Sequence, residues 1–192
     1  MSLVSSIEAV RKTFESHRYV KIEGLLEDGL RAMLYDHVQR QAAFASPASM
    51  EGQKDAVEMF ADPLMEFVLA GVQPRVEEFS GAKLYPTYSF FRIYRRGNIL
   101  RRHVDRPACE VSVSINLGPL LETPWPIWMK GPLSTSAVAL EPGDAVLYRG
   151  IECEHWREPL QADQLTQVFL HYVEQDGRYS DWKFDKRPSI GI

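Results

Sequence analysis

The chain has 192 residues, 45% hydrophobic and 25% charged, with a formal net charge of −4 at pH 7. That is enough length for one domain with a sizeable core, and the acidic balance argues against a nucleic-acid partner, whose docking surface would carry a basic stripe. No apolar run reaches the roughly 18 residues of a membrane span, the opening MSLVSSIEAVRKTF has no apolar leader core, and Cys109 and Cys153 lie in no CxxC or finger spacing, so a reducing, cytoplasmic setting without a membrane is expected.

Ile7, Val10 and Phe14 recur at helical spacing and predict a helix over residues 5–16, with His17 exposed at its end. Residues 19–26 (YVKIEGLL) alternate as a short strand. A second helix is expected from Glu27, with Leu30, Met33, Leu34, His37 and Val38 as its inner stripe, which makes His37 a core or boundary side chain rather than a ligand. Residues 45–55 (ASPASMEGQKD) read as a surface loop long enough to be a lid. Residues 63–78 are helical again, with a kink or break expected at Pro74.

After Gly81 the pattern changes to short β-branched or aromatic runs, 88–94, 111–117, 145–149 and 165–173, separated by turns such as GPLLETPWP and LEPGD. The expected fold is α+β with a mainly β core: a jelly roll, or double-stranded β-helix, with N-terminal helices packed on one sheet. The chain divides into a helical part with one strand (1–80), the jelly-roll core (84–176) and a tail (177–192) that could fold over the mouth. In 111–117, Val111, Val113, Ile115 and Leu117 share one face and Ser112, Ser114 and Asn116 the other. If the helices cover the apolar face, the small polar residues line the interior of the roll.

Phe91 to Asp105 (FRIYRRGNILRRHVD) is where the chemistry concentrates. His103 and Asp105 are two apart, so in extended chain their side chains leave on one side. His155 would complete two histidines and a carboxylate, the facial set that holds Fe(II) and leaves positions open for a co-substrate and O2. An HxD alone arises easily by chance, so its context decides. The arginines 92, 95, 96, 101 and 102 crowd the approach to His103, either as a solvated turn or as an entrance for an anionic substrate.

That context is a resemblance. Tyr94-x-x-Gly97, His103-x-Asp105, the PGD at 142–144, and His155 with Pro159 and the strand TQVFLHYV occur in an order that resembles the Fe(II)/2-oxoglutarate-dependent dioxygenases, closest to the prolyl-hydroxylase-like branch. FESHRYVKIEGLL (14–26) is similar to the opening of phytanoyl-hydroxylase-like members. The resemblance implies His103, Asp105 and His155 as iron ligands and as the catalytic centre. It implies Fe(II) and 2-oxoglutarate as cofactors, with O2 as co-substrate and succinate as by-product. Halogenating relatives lack the carboxylate, so Asp105 implies hydroxylation or oxidative demethylation of a small molecule or of a peptide or protein side chain.

The family places a cation about ten residues after the distal histidine, to pair with the far carboxylate of 2-oxoglutarate, and none occurs there. Arg92, on the face of Tyr94, is the expected substitute, with Gln167 and His171 adding hydrogen bonds. Arg157 competes with it, and Arg149 is a weaker alternative. Trp156, Trp125 and Trp128 could wall the pocket, whereas Cys109 and Cys153 need no role beyond filling space. Two other readings stay open: a cupin-type oxygenase without 2-oxoglutarate, and a jelly-roll binding protein without catalysis.

Overall fold

A computed structural model describes residues 3–191. Three helices come from the first half: α1 (Leu3–His17), α2 (Asp28–Gln41) and α3 (Pro63–Ser80). The strands are β1 (Tyr19–Ile22), β2 (Ser46–Pro47), β3 (Val57–Phe60), β4 (Leu84–Arg95), β5 (Leu100–His103), β6 (Val111–Gly118), β7 (Ile127–Lys130), β8 (Thr135–Val138), β9 (Ala145–Tyr148), β10 (Glu154–Arg157) and β11 (Gln164–Glu174). They form a seven-stranded sheet, ordered β1-β9-β6-β11-β4-β3-β2, and a four-stranded sheet, β5-β10-β7-β8. All their pairings are antiparallel, so the β region is the jelly roll that its turns and short strands predict.

Alternation sorts the large sheet. Val111, Val113, Ile115 and Leu117 join Phe14, Leu34, Val38, Met65 and Leu69 from the helices in one buried cluster. Ser112, Ser114 and Asn116 leave β6 on the opposite face, and all three are buried. The inside of the roll therefore carries small polar side chains.

α3 begins where the Asp62 carboxylate accepts hydrogen bonds from the Leu64 and Met65 amides, with Pro63 in the first turn. It ends at Gly81, whose φ of 76° suits a glycine. The expected break at Pro74 does not occur. An interior proline costs about 3 kcal/mol, while Val68, Val72, Val76 and Phe79 are all buried on the same helix, each contributing about 1.5–3 kcal/mol. Burial wins, and the helix runs through.

Other boundaries differ as well. β1 stops at Ile22 because Gly24 turns the chain at φ 56°, although Leu25 and Leu26 remain buried beyond the strand. On α2 only Leu34 and Val38 are buried, and Leu30 and Met33 face outward. His37 sits at the boundary, 3.0 Å from both Asp62 oxygens. The 45–55 stretch contributes β2, which pairs with β3 at the edge of the large sheet.

Candidate active site

His103 ends β5, and His155 lies opposite it on β10 in direct register, so the small sheet places the rings side by side with centroids 4.3 Å apart. Asp105 follows two residues after β5, where its amide donates to the Gly150 carbonyl at 2.8 Å. Its Oδ1 lies 3.5 Å from His103 Nε2 and 3.6 Å from His155 Nε2. One ligand atom from each residue falls within 4.8 Å of the others.

Backbone carbonyls set the tautomers. His103 Nδ1 is 2.7 Å from the Arg101 carbonyl and His155 Nδ1 is 2.9 Å from that of Cys153. A carbonyl only accepts, so each Nδ1 carries the proton and each Nε2 turns a bare lone pair toward Asp105. Two lone pairs and an anion converge on one point, which is the donor set a divalent cation of the iron class takes.

Burial pushes the Asp105 carboxyl up, but the neighbouring histidines outweigh it and hold the group below the usual range. His103 is pulled down by burial and up further by Asp105, and its net shift is upward. For His155, buried more deeply, burial prevails over Asp105 and the shift is downward.

Gly150 is a positioning residue that the sequence alone did not single out. A Cβ there would meet the Cys109 carbonyl at 2.3 Å, Asp105 Oδ2 at 2.5 Å and Ser112 Oγ at 3.0 Å. Only a glycine lets this loop lie against the carboxylate. Its place directly after a predicted strand was the available signal.

The remaining candidates separate clearly. Arg92 and Tyr94 line the same cavity of about 250 Å³ as His103, Asp105 and His155, together with Phe90 and Phe169. Arg92 is not a free charge, however. Its Nε donates to Glu58 Oε2 at 2.9 Å, its Nη2 reaches the same oxygen, and its Nη1 is 3.4 Å from the Tyr94 hydroxyl.

Arg157 leaves β10 on the face of His155 and is 2% exposed. One guanidinium nitrogen reaches the Trp125 carbonyl, while Nε and Nη2 have no hydrogen-bond partner among the described residues. Burial pulls it down to about 10, so it stays charged at neutral pH. Gln167 Nε2 and His171 Nε2 are likewise buried without a partner among those residues.

Arg149 is not brought to the site; it pairs with Glu174 at 2.6 Å and lies over Phe14. Trp156 alternates with His155 and Arg157 and therefore points away, where it stacks on Trp128 and receives Arg102 at 3.8 Å. Of the three tryptophans, only Trp125 faces inward, edge-on to Tyr94 with centroids 5.0 Å apart.

The arginine-rich approach is also largely neutralised. Arg95 reaches Gln164, Arg96 pairs with Asp163 at 2.8 Å, Arg101 with Glu51, and Arg102 with Glu154 at 3.5 Å.

No family model and no curated protein matches the chain. Solved structures do match. A prolyl-4-hydroxylase from Pseudomonas putida superposes with a TM-score of 0.70 at 18% identity, over 87% of this chain and 99% of its own. SnoN, the non-haem α-ketoglutarate-dependent epimerase from nogalamycin biosynthesis, gives 0.79 at 12% identity, over 98% and 92%. A prolyl hydroxylase from Trichoplax adhaerens, solved with a hypoxia-inducible-factor peptide fragment, gives 0.70 at 12%, over 90% of each chain. The fold is the one that these two prolyl hydroxylases and the α-ketoglutarate-dependent epimerase share.

Proposed function

We propose that the protein is a non-haem Fe(II) oxygenase that uses 2-oxoglutarate and O2 to hydroxylate or oxidatively demethylate its substrate. His103, Asp105 and His155 hold the metal. When bound, iron and 2-oxoglutarate couple decarboxylation of the keto acid to oxidation of a substrate C–H bond. The chain supplies geometry: two imidazoles fixed by the Arg101 and Cys153 carbonyls, and a carboxylate kept ionised by its neighbours.

The observation that carries 2-oxoglutarate is Arg157. A buried guanidinium with two unsatisfied donors is costly unless a carboxylate occupies it. Residues two apart on a strand lie about 6.6 Å from each other along it, so a five-carbon diacid chelating metal beside His155 can lay its far carboxylate toward Arg157. Gln167 has a further unpartnered donor among the described residues but lines the neighbouring cavity beside Trp125 and Asn116, whereas Tyr94, its hydroxyl 3.4 Å from Arg92 Nη1, lines the cavity of the metal ligands. Arg92, neutralised by Glu58, is better suited to shaping the wall. His171 lies on the metal side of the cavity.

The substrate class stays broad, a small molecule or a peptide side chain, since paired arginines give little support for an anion. Aromatic rings from Tyr88, Phe90 and Phe169 line the approach. Anaerobic titration of the metal-free protein with Fe(II) and then 2-oxoglutarate tests the proposal. A visible charge-transfer band of the chelate is expected in wild type and in Arg92→Ala, and a much weaker one in Arg157→Ala. Tight iron binding with no band would favour a cupin-type oxygenase without 2-oxoglutarate, and no iron binding a non-catalytic binding protein.

A further inference from the structure

A second set of donors sits beside the first. A ring nitrogen of His171, the Cys109 sulfur and a carboxylate oxygen of Asp105 lie within 4.8 Å of one another. His171 and Cys109 are 3% and 2% exposed. Asp105 turns its Oδ1 to the two histidines of the first set, while its Oδ2 faces Ser112 Oγ at 3.4 Å. The two oxygens of one carboxylate thus address two different groups.

The surroundings suit coordination. Ser112 Oγ is 3.1 Å from the Cys109 carbonyl and 2.8 Å from His171 Nδ1. Its single proton is wanted by the carbonyl and by Asp105, both of which only accept, so Nδ1 is the protonated nitrogen that donates to the hydroxyl. His171 Nε2 then carries a bare lone pair, and it has no hydrogen-bond partner among the described residues. The Tyr88 hydroxyl lies 3.1 Å from the Cys109 sulfur, where it can donate to a thiolate. His171, through Ser112, and Cys109, through Tyr88, therefore each have an outer partner that orients them, as metal ligands do.

We propose that His171, Cys109 and Asp105 form a second cation site, selective for a thiophilic divalent ion of the zinc or cobalt type, with Asp105 bridging it to the first. Sulfur, imidazole and carboxylate together favour such ions over magnesium or calcium, and three protein ligands leave a position open. On binding, the thiol proton leaves to solvent and the sulfur enters as thiolate. The proposal shares only Asp105 with the oxygenase reading and does not require it.

Anaerobic Co(II) titration of the reduced, metal-free full chain tests this, read by stoichiometry and by the near-ultraviolet thiolate-to-cobalt absorption. Wild type should bind a second equivalent accompanied by the thiolate band. Cys109→Ser and, independently, His171→Asn should lose that equivalent and the band while keeping the other, with circular dichroism unchanged. Cys153→Ser should behave as wild type. His103→Ala should keep the band and lose the other equivalent; if it loses neither, the second site stands and the first assignment fails. No thiolate band in wild type, or a band abolished by Cys153→Ser instead of Cys109→Ser, overturns the second site.

Discussion

Arg157 and His155 leave β10 on one face, and the histidine has a carbonyl for its Nδ1 while the arginine keeps two buried nitrogens without an acceptor among the described residues. Replacing buried charged groups by apolar side chains of similar volume is often neutral or stabilising by about 1–4 kcal/mol, and among the described residues Arg157 has only the Trp125 carbonyl and ring to offset its burial. Arg157→Met should therefore raise the melting temperature of the metal-free protein. It should also abolish the further rise that 2-oxoglutarate gives the Fe(II)-loaded wild type, while leaving the rise due to Fe(II) alone. Thermal melts without ligand, with Fe(II), and with Fe(II) and 2-oxoglutarate check both halves. A less stable variant that still gains from 2-oxoglutarate would return the anchoring role to Arg92.

Gly150→Ala tests how the carboxylate is held. The new methyl would overlap Asp105 Oδ2 and the Cys109 carbonyl, and the backbone partner cannot rotate away. A loss of stability of about 1–3 kcal/mol and at least about tenfold weaker metal binding are expected. Gly71→Ala is the control, because no described residue comes within 4 Å of where its methyl would sit, the helix's own backbone apart; helix propensity makes that change neutral or slightly stabilising. Equal Mn(II) affinity in Gly150→Ala and wild type would remove Gly150 from the site.

How much of this was legible beforehand follows the length of each periodic signal. β6 alternates over eight residues, so its two faces could be read directly, while the burial of the serine face depended on where the helices pack. β5, β7, β8 and β10 have four residues each, too few for a period of two to stand out among prolines and charges. The strands carrying His103 and His155 were therefore invisible as strands, although both histidines stood out by residue type. Pairing partners were hidden for a different reason. Glu58 meets Arg92 because β3 pairs with β4, a non-local contact that no spacing along the chain encodes. Arg157 could be nominated by its place two residues after His155, but its lack of an acceptor is a property of the packed interior.

The Glu58–Arg92 pair should behave as a structural clamp. The side chains are 22% and 7% exposed, so removing Glu58 strands a mostly buried guanidinium. Glu58→Ala is expected to cost about 3–5 kcal/mol, and Glu58→Ala with Arg92→Met to recover most of it. Urea denaturation of the two single variants and the double variant measures the coupling. Additive losses would mean that the two side chains do not stabilise each other.

Asp144, in the PGD turn, is a clip between the chain's two halves. Its carboxylate accepts from the Gly24 amide at 3.0 Å and the Glu141 amide at 3.1 Å, and meets the Lys21 ammonium at 2.8 Å. Burial pushes the group up, but these partners prevail and hold it below the ordinary value of 3.8. A depressed carboxylate pKa stabilises the fold above the unfolded pKa, and that stability is lost as the pH falls through the lower, folded value. Asp144→Asn keeps the shape and removes the charge, so it should cost on the order of 2 kcal/mol at pH 7. The difference from wild type should stay constant down to about pH 4 and then shrink as wild type itself becomes protonated. Denaturation curves at pH 7, 5 and 3 check this; a difference that persists undiminished at pH 3 would mean that the amide's altered hydrogen bonding, and not the lost charge, is what destabilises the variant.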